Sequence, residues 1–187
     1  MRRRSRCRRS GGLTTVELIQ NNPWPVLFRQ AERSAFHLEV RDTYAVPSES
    51  EPLQRFLAGE PPADDEFRSR PWTDLVRETT GRGVTVSRVR VVTVPHSDYQ
   101  RWLLSVTGSN IDAGEDIRYL PRHLAGTVSP DDFWLFDSHT VGFNLVDQDG
   151  KPAGAAVTND RDIAAHCRNI RDRLWEIATP YAEYVSR

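Results

Sequence analysis

The sequence lacks the residue sets that several common chemistries require. Its two cysteines, Cys7 and Cys167, are too few for a zinc knuckle, and a disulfide between a terminal segment and a predicted helix is not expected. No two histidines have the spacing of metal ligands on a helix. The glycines at Gly81 and Gly83 have neither the spacing nor the lysine of a phosphate-binding loop. We therefore expect no metal and no cofactor.

Long apolar runs are also absent. The longest, such as VVTV at residues 91–94, are far too short to span a bilayer. No apolar segment of a secretory signal follows the basic N terminus, so a reduced cytoplasmic protein is expected. The net charge of -1 provides no overall field to attract nucleic acid or an anionic membrane. These absences predict a cytoplasmic protein with no membrane partner.

The charge is unevenly distributed along the chain. MRRRSRCRRS places six arginines in the first nine residues, so the remainder is acidic. One interpretation is a basic arm that contacts nucleic-acid phosphates. The other, which the sequence favours, is a disordered tail or a translation start assigned too far upstream. We predict a disordered arginine-rich tail over residues 1–22 and a single α/β domain over residues 23–187.

Hydrophobic periodicity and cap residues predict an alternation of helices and strands. Helices are expected to begin near residues 25, 50, 71, 98 and 159. Extended segments are expected at residues 36–46, 84–94, 117–120, 131–137, 140–151 and 154–158. The proline-rich, acidic stretch at 60–71 is typical of an exposed loop or a mobile flap. This order predicts an α/β (α+β) fold, a mixed β-sheet flanked by helices, with a β-α-β crossover from Val94 to Ile117.

Charged residues on the predicted strands form the main candidate site. Arg88 and Arg90 share one face of the central strand with Val86 and Val92, and Arg118 lies on the next strand. Two arginines on one face need carboxylate partners or must reach the end of the sheet. Such a cluster either binds a phosphate or carboxylate through bidentate contacts or forms an ion-pair network at the rim of the sheet. The predicted ligand-binding set is Arg88, Arg90, Asp98, Glu115, Arg118 and Asp137.

Other motifs give weaker signals. His37 and Glu39 form the His-x-Glu half of a zinc-deaminase signature, but the Pro-Cys-x-x-Cys half is missing, so that activity is not expected. A nucleophile–histidine–carboxylate set assembles through space, and nothing in the sequence favours one. Trp175, Tyr181 and Tyr184 flank the apolar stripe of the last helix, where they either complete the core or contact a partner.

The stretch from about Phe28 to Tyr184 resembles an actinobacterial domain-of-unknown-function family, number 6879. The phrases that carry the resemblance are RSAFHLEVRDTY, RVRVVTVPHSDYQRW, NIDAGEDIRYLPR and DDFWLFD. The family implies no established reaction. Its members are often encoded beside helix-turn-helix regulators, so the resemblance implies a regulatory setting.

A more distant similarity is to phospholipase D-like domains, which occur both as enzymes and as ligand-sensing domains of transcription regulators. It is carried by the order of GVTVSRVRVVT, GEDIRYLP, DFWLFDSHTV and a long final helix with RLWEIATPY. The catalytic members need His-x-Lys-x4-Asp. If Asp137 takes the aspartate slot, Pro130 takes the histidine slot and Asp132 the lysine slot. Proline cannot attack phosphorus and aspartate repels phosphate, so the resemblance implies a noncatalytic phospholipase D-like domain.

Together these observations predict a noncatalytic cytoplasmic ligand-sensing or protein-interaction module in a regulatory system. A helix-turn-helix DNA-binding protein is the predicted partner, and an anionic small molecule is a second predicted ligand. The alternative is a hydrolase or transferase acting on a phosphate- or carboxylate-bearing small molecule, with His96, Asp98 or His123 as acid–base groups. Direct nucleic-acid binding through the N-terminal arginines is not expected, because the rest of the chain is acidic.

Overall fold

A mixed β-sheet organises the part of the chain that the computed structural model describes, which is residues 16–20, 22–60 and 70–186. Its strands lie in the order β1-β7-β6-β5-β2-β3-β4-β8. The strands are β1 (Val16–Ile19), β2 (Ser34–Glu39), β3 (Thr85–Val92), β4 (Glu115–Pro121), β5 (Phe133–Phe136), β6 (Thr140–Val146), β7 (Pro152–Thr158) and β8 (Thr179–Pro180). The predicted mixed sheet is confirmed.

Helices cover both faces of this sheet. The helices are α1 (Trp24–Gln30), α2 (Ser50–Leu57), α3 (Pro71–Gly81), α4 (Asp98–Val106), α5 (Gly108–Asp112), α6 (Arg161–Ile177) and α7 (Tyr181–Tyr184). On one face, α6 packs its buried side chains, such as Cys167 and Leu174, against Phe36 and Val89. Helices α1 and α3 pack on the other face, where Phe28 and Val76 belong to a second core cluster. Among the described residues, no helix is long and apolar enough to cross a membrane.

Several chain connections lie at one edge of the sheet because of the directions of the strands. Strands β2, β3 and β4 run parallel to one another, so their carboxyl ends lie on the same edge. Strand β5 is antiparallel to β2, which brings the residues just before β5 to that edge as well. The predicted crossover from Val94 to Ile117 therefore joins two parallel strands. We call this region, formed by residues 40–49, 93–97, 122–124 and 131–132, the carboxyl edge.

Local signals explain where the main helices begin. Pro71 occupies the first turn of α3, where a missing N–H is tolerated. Ser97 Oγ accepts a hydrogen bond from the Gln100 N–H and caps α4, as expected from the sequence. The Asp160 carboxylate accepts from the N–H groups of Asp162 and Ile163 and caps α6.

Some sequence boundaries differ from the structure. The extended segment predicted at 36–46 continues as a strand only to Glu39, because the following residues turn across the carboxyl edge. Residues 16–19, inside the predicted tail, pair with β7 and belong to the sheet. The arginine-rich segment at 1–15 and most of the predicted loop at 60–71 lie outside the described residues.

Candidate functional site

A buried group of two arginines and two glutamates lies between the sheet and helices α3 to α5. It consists of Glu39, Arg88, Arg90 and Glu115, and we call it the ion cluster. Arg90 Nε donates to Glu39 Oε2 at 2.5 Å, and Arg88 Nη1 donates to Glu39 Oε1. Arg88 Nε donates to Glu115 Oε1 at 2.7 Å. Arg88, Arg90 and Glu115 are 6%, 5% and 1% exposed, so the ion cluster is largely removed from solvent.

Strand register explains why these side chains meet. The parallel pairing of β2 with β3 places His37 beside Arg88 and Glu39 beside Arg90. Side chains two residues apart on a strand point to the same face. The side chains of His37, Glu39, Arg88 and Arg90 therefore all lie on the face covered by helices α3 to α5. Glu115 begins the next parallel strand and reaches Arg88 from the other side.

Neutral groups complete the hydrogen bonding of the ion cluster. Arg90 Nη1 donates to Thr107 Oγ1 and to the Tyr119 hydroxyl, both at 2.8 Å. The Asn110 side-chain amide donates to Glu115 Oε2 at 3.1 Å. A buried ion pair is tolerated only when such bonds satisfy its remaining polar atoms.

The charges of the ion cluster balance internally. Burial alone would raise the pKa of Glu39, but Arg88 and Arg90 outweigh burial and hold that pKa well below its ordinary value. Glu39 therefore remains ionised, and its negative charge is shared by the guanidinium groups of Arg88 and Arg90. Since each guanidinium already has a carboxylate partner, neither offers an uncompensated charge to an anionic ligand.

His37 lies beside the ion cluster as a neutral ring. It stacks on Trp134 with ring centroids 4.1 Å apart, and burial followed by the nearby Arg88 lowers its pKa well below the ordinary value. Its Nδ1 lies 3.5 Å from Glu39 Oε1, yet neither ring nitrogen forms a hydrogen bond within the described part of the chain. No group of three metal-ligating side chains is found among the described residues either.

Two other predicted site residues lie away from the ion cluster. Arg118 points to the opposite face of the sheet, where its guanidinium stacks 3.9 Å from the centre of the Trp175 ring. It also donates to the Trp175 carbonyl oxygen. Asp98 is exposed in the first turn of α4 and pairs with Arg101. The structure thus brings together Arg88, Arg90 and Glu115 but not these two.

Asp137, in the turn after β5, binds the residues that lead into β2 at the opposite edge of the sheet. Its carboxylate accepts hydrogen bonds from the N–H groups of Glu32, Arg33 and Ser34 at 2.7–2.9 Å. Burial alone would raise the pKa of Asp137, but these three donors lower it. Asp137 and Ser138 both have positive φ angles, 48° and 63°, in the tight turn from β5 to β6. The carboxylate is therefore already occupied by backbone donors.

Asp132 is a second buried carboxyl group, at the carboxyl edge. It is 2% exposed and accepts hydrogen bonds from the Val40 N–H at 2.7 Å and the Tyr44 hydroxyl at 2.6 Å. Burial, reinforced by the nearby negative charge of Glu39, raises the pKa of Asp132 to about 6. This carboxyl group therefore keeps its proton to a higher pH than an exposed aspartate does.

A more open polar network lies next to Asp132. The Asp42 carboxylate accepts from the Thr93 N–H at 2.9 Å and from its hydroxyl at 2.6 Å. Arg122 lies 3.5 Å from Asp42, and the two side chains are 37% and 34% exposed. His96 Nε2 lies 3.0 Å from the Tyr184 hydroxyl, a hydrogen-bonding distance. Polar groups that solvent can reach are thus concentrated where the parallel strands end.

Exposed apolar side chains accompany this network. Val94, Leu124 and Val185 are 53%, 58% and 50% exposed. Leu124 follows Arg122, which donates to Thr93, and Val185 follows Tyr184, which contacts His96. A group of exposed apolar residues bordered by polar ones is typical of an interaction surface.

The sequence alone does not identify Glu39, Tyr44 or Asp42 as members of these networks. Glu39 carries a usable signal, because it shares a strand face with His37 in FHLEV. Its partnership with Arg90 depends on strand order and register, which local patterns do not specify. Tyr44 and Asp42 follow β2 without regular structure and give no periodic signal.

The chain matches one known protein family over most of its length. The profile of the family described as domain of unknown function (DUF6879) matches residues 23–186. The chain belongs to this family. No curated protein matches the chain.

Solved structures show which fold this DUF6879 chain has. Nuc from Salmonella typhimurium, a phospholipase D family member, matches with TM-score 0.50 and 14% identity, over 84% of this chain and 87% of Nuc. NucT from Helicobacter pylori matches with TM-score 0.50 and 10% identity, over 89% of this chain and 98% of NucT. The predicted phospholipase D-like fold is confirmed.

A third structure corrects a prediction about partners. TrmBL2, an archaeal chromatin protein with a novel mode of DNA binding, matches with TM-score 0.49 and 14% identity. The match covers 92% of this chain, which spans 56% of the length of TrmBL2. The sequence led us to exclude direct nucleic-acid binding. That exclusion is wrong, because TrmBL2 binds DNA. Net charge is an average over the surface and does not exclude a local basic face.

Proposed function

We propose that this DUF6879 chain is a noncatalytic phospholipase D-like module that senses a ligand or binds a protein in a regulatory system. The state of Asp132 is the observation that carries the proposal. In the resemblance to catalytic members, this position corresponds to the phosphate-binding lysine. Here it is a buried carboxyl group bonded to Val40 and Tyr44, and an exposed proline, Pro130, lies in the slot of the nucleophile. Neither residue supports phosphodiester cleavage.

The buried arginines support the same conclusion. Arg88 and Arg90 are the side chains best suited to binding an anion, but Glu39 and Glu115 already pair with them. Replacing these partners by a ligand would require breaking buried ion pairs, which costs several kcal/mol, about 3–5. Anion binding by Arg88, Arg90, Glu115 and the other predicted site residues therefore remains a prediction, and the geometry favours a structural role.

Protein binding is the version of the proposal that the surface favours. The carboxyl edge combines exposed apolar side chains, Val94 and Leu124, with the accessible polar pair of Asp42 and Arg122. Ligands of open α/β sheets commonly bind outside the carboxyl ends of the strands. The regulatory setting and a cytoplasmic location remain predictions.

A hydrolysis assay tests the absence of catalysis. Purified protein would be incubated with bis(p-nitrophenyl) phosphate, single-stranded DNA and phosphatidylcholine vesicles, with and without divalent cations. We expect no product above the buffer control. Turnover that disappears in His96→Ala or His123→Ala would contradict the proposal and support the alternative of an enzyme.

An interaction assay tests the surface. We expect affinity purification from the native host to recover a partner that binds again when both proteins are purified. Val94→Glu with Leu124→Glu should weaken that binding at least tenfold. Val26→Glu on α1, where Val26 is 53% exposed, is the matched control and should bind normally. Equal binding by both variants would show that the carboxyl edge is not the interaction surface.

A further inference from the structure

Strand β1 is the outermost strand of the sheet, and within the described residues it pairs only with β7. A strand that is paired on one side directs about half of its N–H and C=O groups to the other side, where a further strand can bind them. The side chains of β1 are also accessible. Val16 and Leu18 are 51% and 69% exposed, and Leu18 is the most exposed large apolar side chain in the described part of the chain.

Leu18 is the outer end of a row of apolar side chains that begins in the core. From the centre of the sheet outward, the cross-strand partners in this row are Val89, Leu38, Phe133, Phe143, Ala156 and Leu18. Opposite residues on neighbouring strands point to the same face, so the row lies on the face that α6 covers. Leu38 and Phe133 are fully buried there, whereas Leu18 is not. An apolar group beyond Leu18 would continue the row and remove this side chain from water.

We propose that β1 pairs antiparallel with β1 of a second copy of this chain, with Leu18 of each copy opposite Leu18 of the other. The two sheets then form one sheet, and their apolar rows form one row across the twofold axis. Opposite residues must point to the same face, so the axis passes through one residue of each strand. An axis through Glu17 would place two carboxylates opposite each other, which is unfavourable. With the axis through Leu18, each Glu17 lies opposite Ile19 of the other copy.

The charges at the two ends of β1 favour the same partner. Because β1 and β7 are antiparallel, the Ile19 end of β1 lies toward the hairpin that joins β6 to β7. That hairpin exposes Asp147 and Asp149, whose charge Lys151 offsets in part. In an antiparallel pair, the Val16 end of one β1 lies beside the Ile19 end of the other. The six arginines that precede Val16 in the sequence, in a segment without acidic residues, are thus attached near the acidic hairpin of the second copy.

The size of the contact sets the strength of the association. Strand β1 has four residues, far fewer than the roughly 20 that each partner contributes to a standard stable interface. We therefore expect a weak dimer, with a Kd on the order of 100 µM. The inference does not rest on the proposed function, because β1 shares no residue with the carboxyl edge.

Sedimentation velocity of the full chain tests the dimer. Between about 10 and 500 µM, the average sedimentation coefficient of the wild type should rise with concentration. Leu18→Glu places two like charges opposite each other and should weaken dimerisation about tenfold, and the fold should be retained because Leu18 is exposed. Val26→Glu, on α1, where Val26 is 53% exposed, is the matched control and should dimerise like the wild type. A wild type that stays monomeric over this range, or a dimer that Leu18→Glu does not weaken, would overturn the proposal.

Cysteine cross-linking tests the register. In a Cys7→Ser background, Leu18→Cys should form a disulfide between copies under mild oxidation, because opposite residues have Cα atoms about 4.5–5.5 Å apart. Glu17→Cys is the control for register. The two copies of position 17 would be about 8 Å apart, too far for a disulfide, so this variant should cross-link much less. Preferential cross-linking of Glu17→Cys would contradict the register about Leu18. None of these results bears on the hydrolysis or interaction assays, so the two proposals fail separately.

Discussion

At the scale of single residues, Glu39 has the largest expected effect because it compensates two buried guanidinium groups at once. Glu39→Gln would preserve the side-chain shape, but it would leave Arg88 paired with Glu115 alone among these carboxylates and would remove the carboxylate that pairs with Arg90. Breaking a buried pair from one side costs about 3–5 kcal/mol. We expect a loss of that size in the free energy of unfolding, measured by urea denaturation.

The matched control for this change is Glu32→Gln. Glu32 has an exposed side chain, and removal of a surface charge usually changes stability by less than about 0.5 kcal/mol. If Glu39→Gln also cost less than about 1 kcal/mol, the ion cluster would not be the stabilising network described above.

Asp137 offers a second prediction, with a defined pH dependence. Asp137→Ala removes an acceptor shared by three backbone N–H groups and should cost about 2 kcal/mol at neutral pH. Because the pKa of Asp137 is lowered in the fold, its contribution is present above the ordinary value of 3.8 and is lost as the pH falls through the lowered value. Urea denaturation at about pH 7 and pH 3 should show the difference between wild type and variant shrinking in acid.

A difference that stays constant between these two conditions would contradict the role assigned to the carboxylate. It would instead indicate that alanine disturbs the turn at Asp137 and Ser138, where both φ angles are positive.

At the scale of elements, the sequence identifies those with strong local signals. Pro71 and Ser97 mark the starts of α3 and α4, and the valines of β3 form an unmistakable strand. Strand β1 was not predicted, because its four residues are exposed or nearly so and show no alternation. It forms through pairing with β7, a contact between distant parts of the chain that periodicity does not encode.

Gly154 gives a prediction for that pairing. It has a φ of 109°, and a Cβ atom there would lie 2.0 Å from the Ile19 carbonyl oxygen. Gly154→Ala should therefore displace β1 and remove hydrogen-exchange protection from Val16–Ile19, while the amides of β3 remain protected. Gly108→Ala, where nothing lies within 4 Å of the added atom, is the control and should leave β1 protected. Protection of β1 in both variants would show that β7 adapts to the added methyl group.

At the scale of the whole molecule, the order of elements was enough to predict a mixed sheet between helices, and the resemblance to phospholipase D-like domains implied the fold. The order of elements does not show which charged side chains of the site contact one another. The alternation of side chains predicts that Arg88 and Arg90 share one face, and the structure adds Glu115 as a partner of Arg88. Arg118 belongs to the opposite face because it lies one residue out of phase with Ile117 and Tyr119 on β4. Whether grouped charges bind a ligand or one another depends on Glu39, whose position is set by strand order.

A double-mutant cycle separates these two roles for the molecule as a whole. Arg88→Met alone leaves Glu115 buried without its guanidinium partner, although Asn110 still donates to it, so it should cost about 3–5 kcal/mol in urea denaturation. Adding Glu115→Leu removes the unpaired charge, and the double variant should recover most of that loss, because buried ion pairs are often replaceable by apolar pairs. Glu39 and Arg90 remain paired with each other in the double variant.

Anions supply the complementary measurement on the same variants. If the ion cluster is structural, sulfate at millimolar concentration should change the Tm of wild type and double variant equally. If Arg88 binds an anion, mass action requires sulfate to stabilise the wild type selectively. Selective stabilisation of the wild type by sulfate, together with no recovery of stability in the double variant, would mean that the ion cluster binds anions. The ion pairs among Glu39, Arg88, Arg90 and Glu115 would then describe the cluster without a ligand.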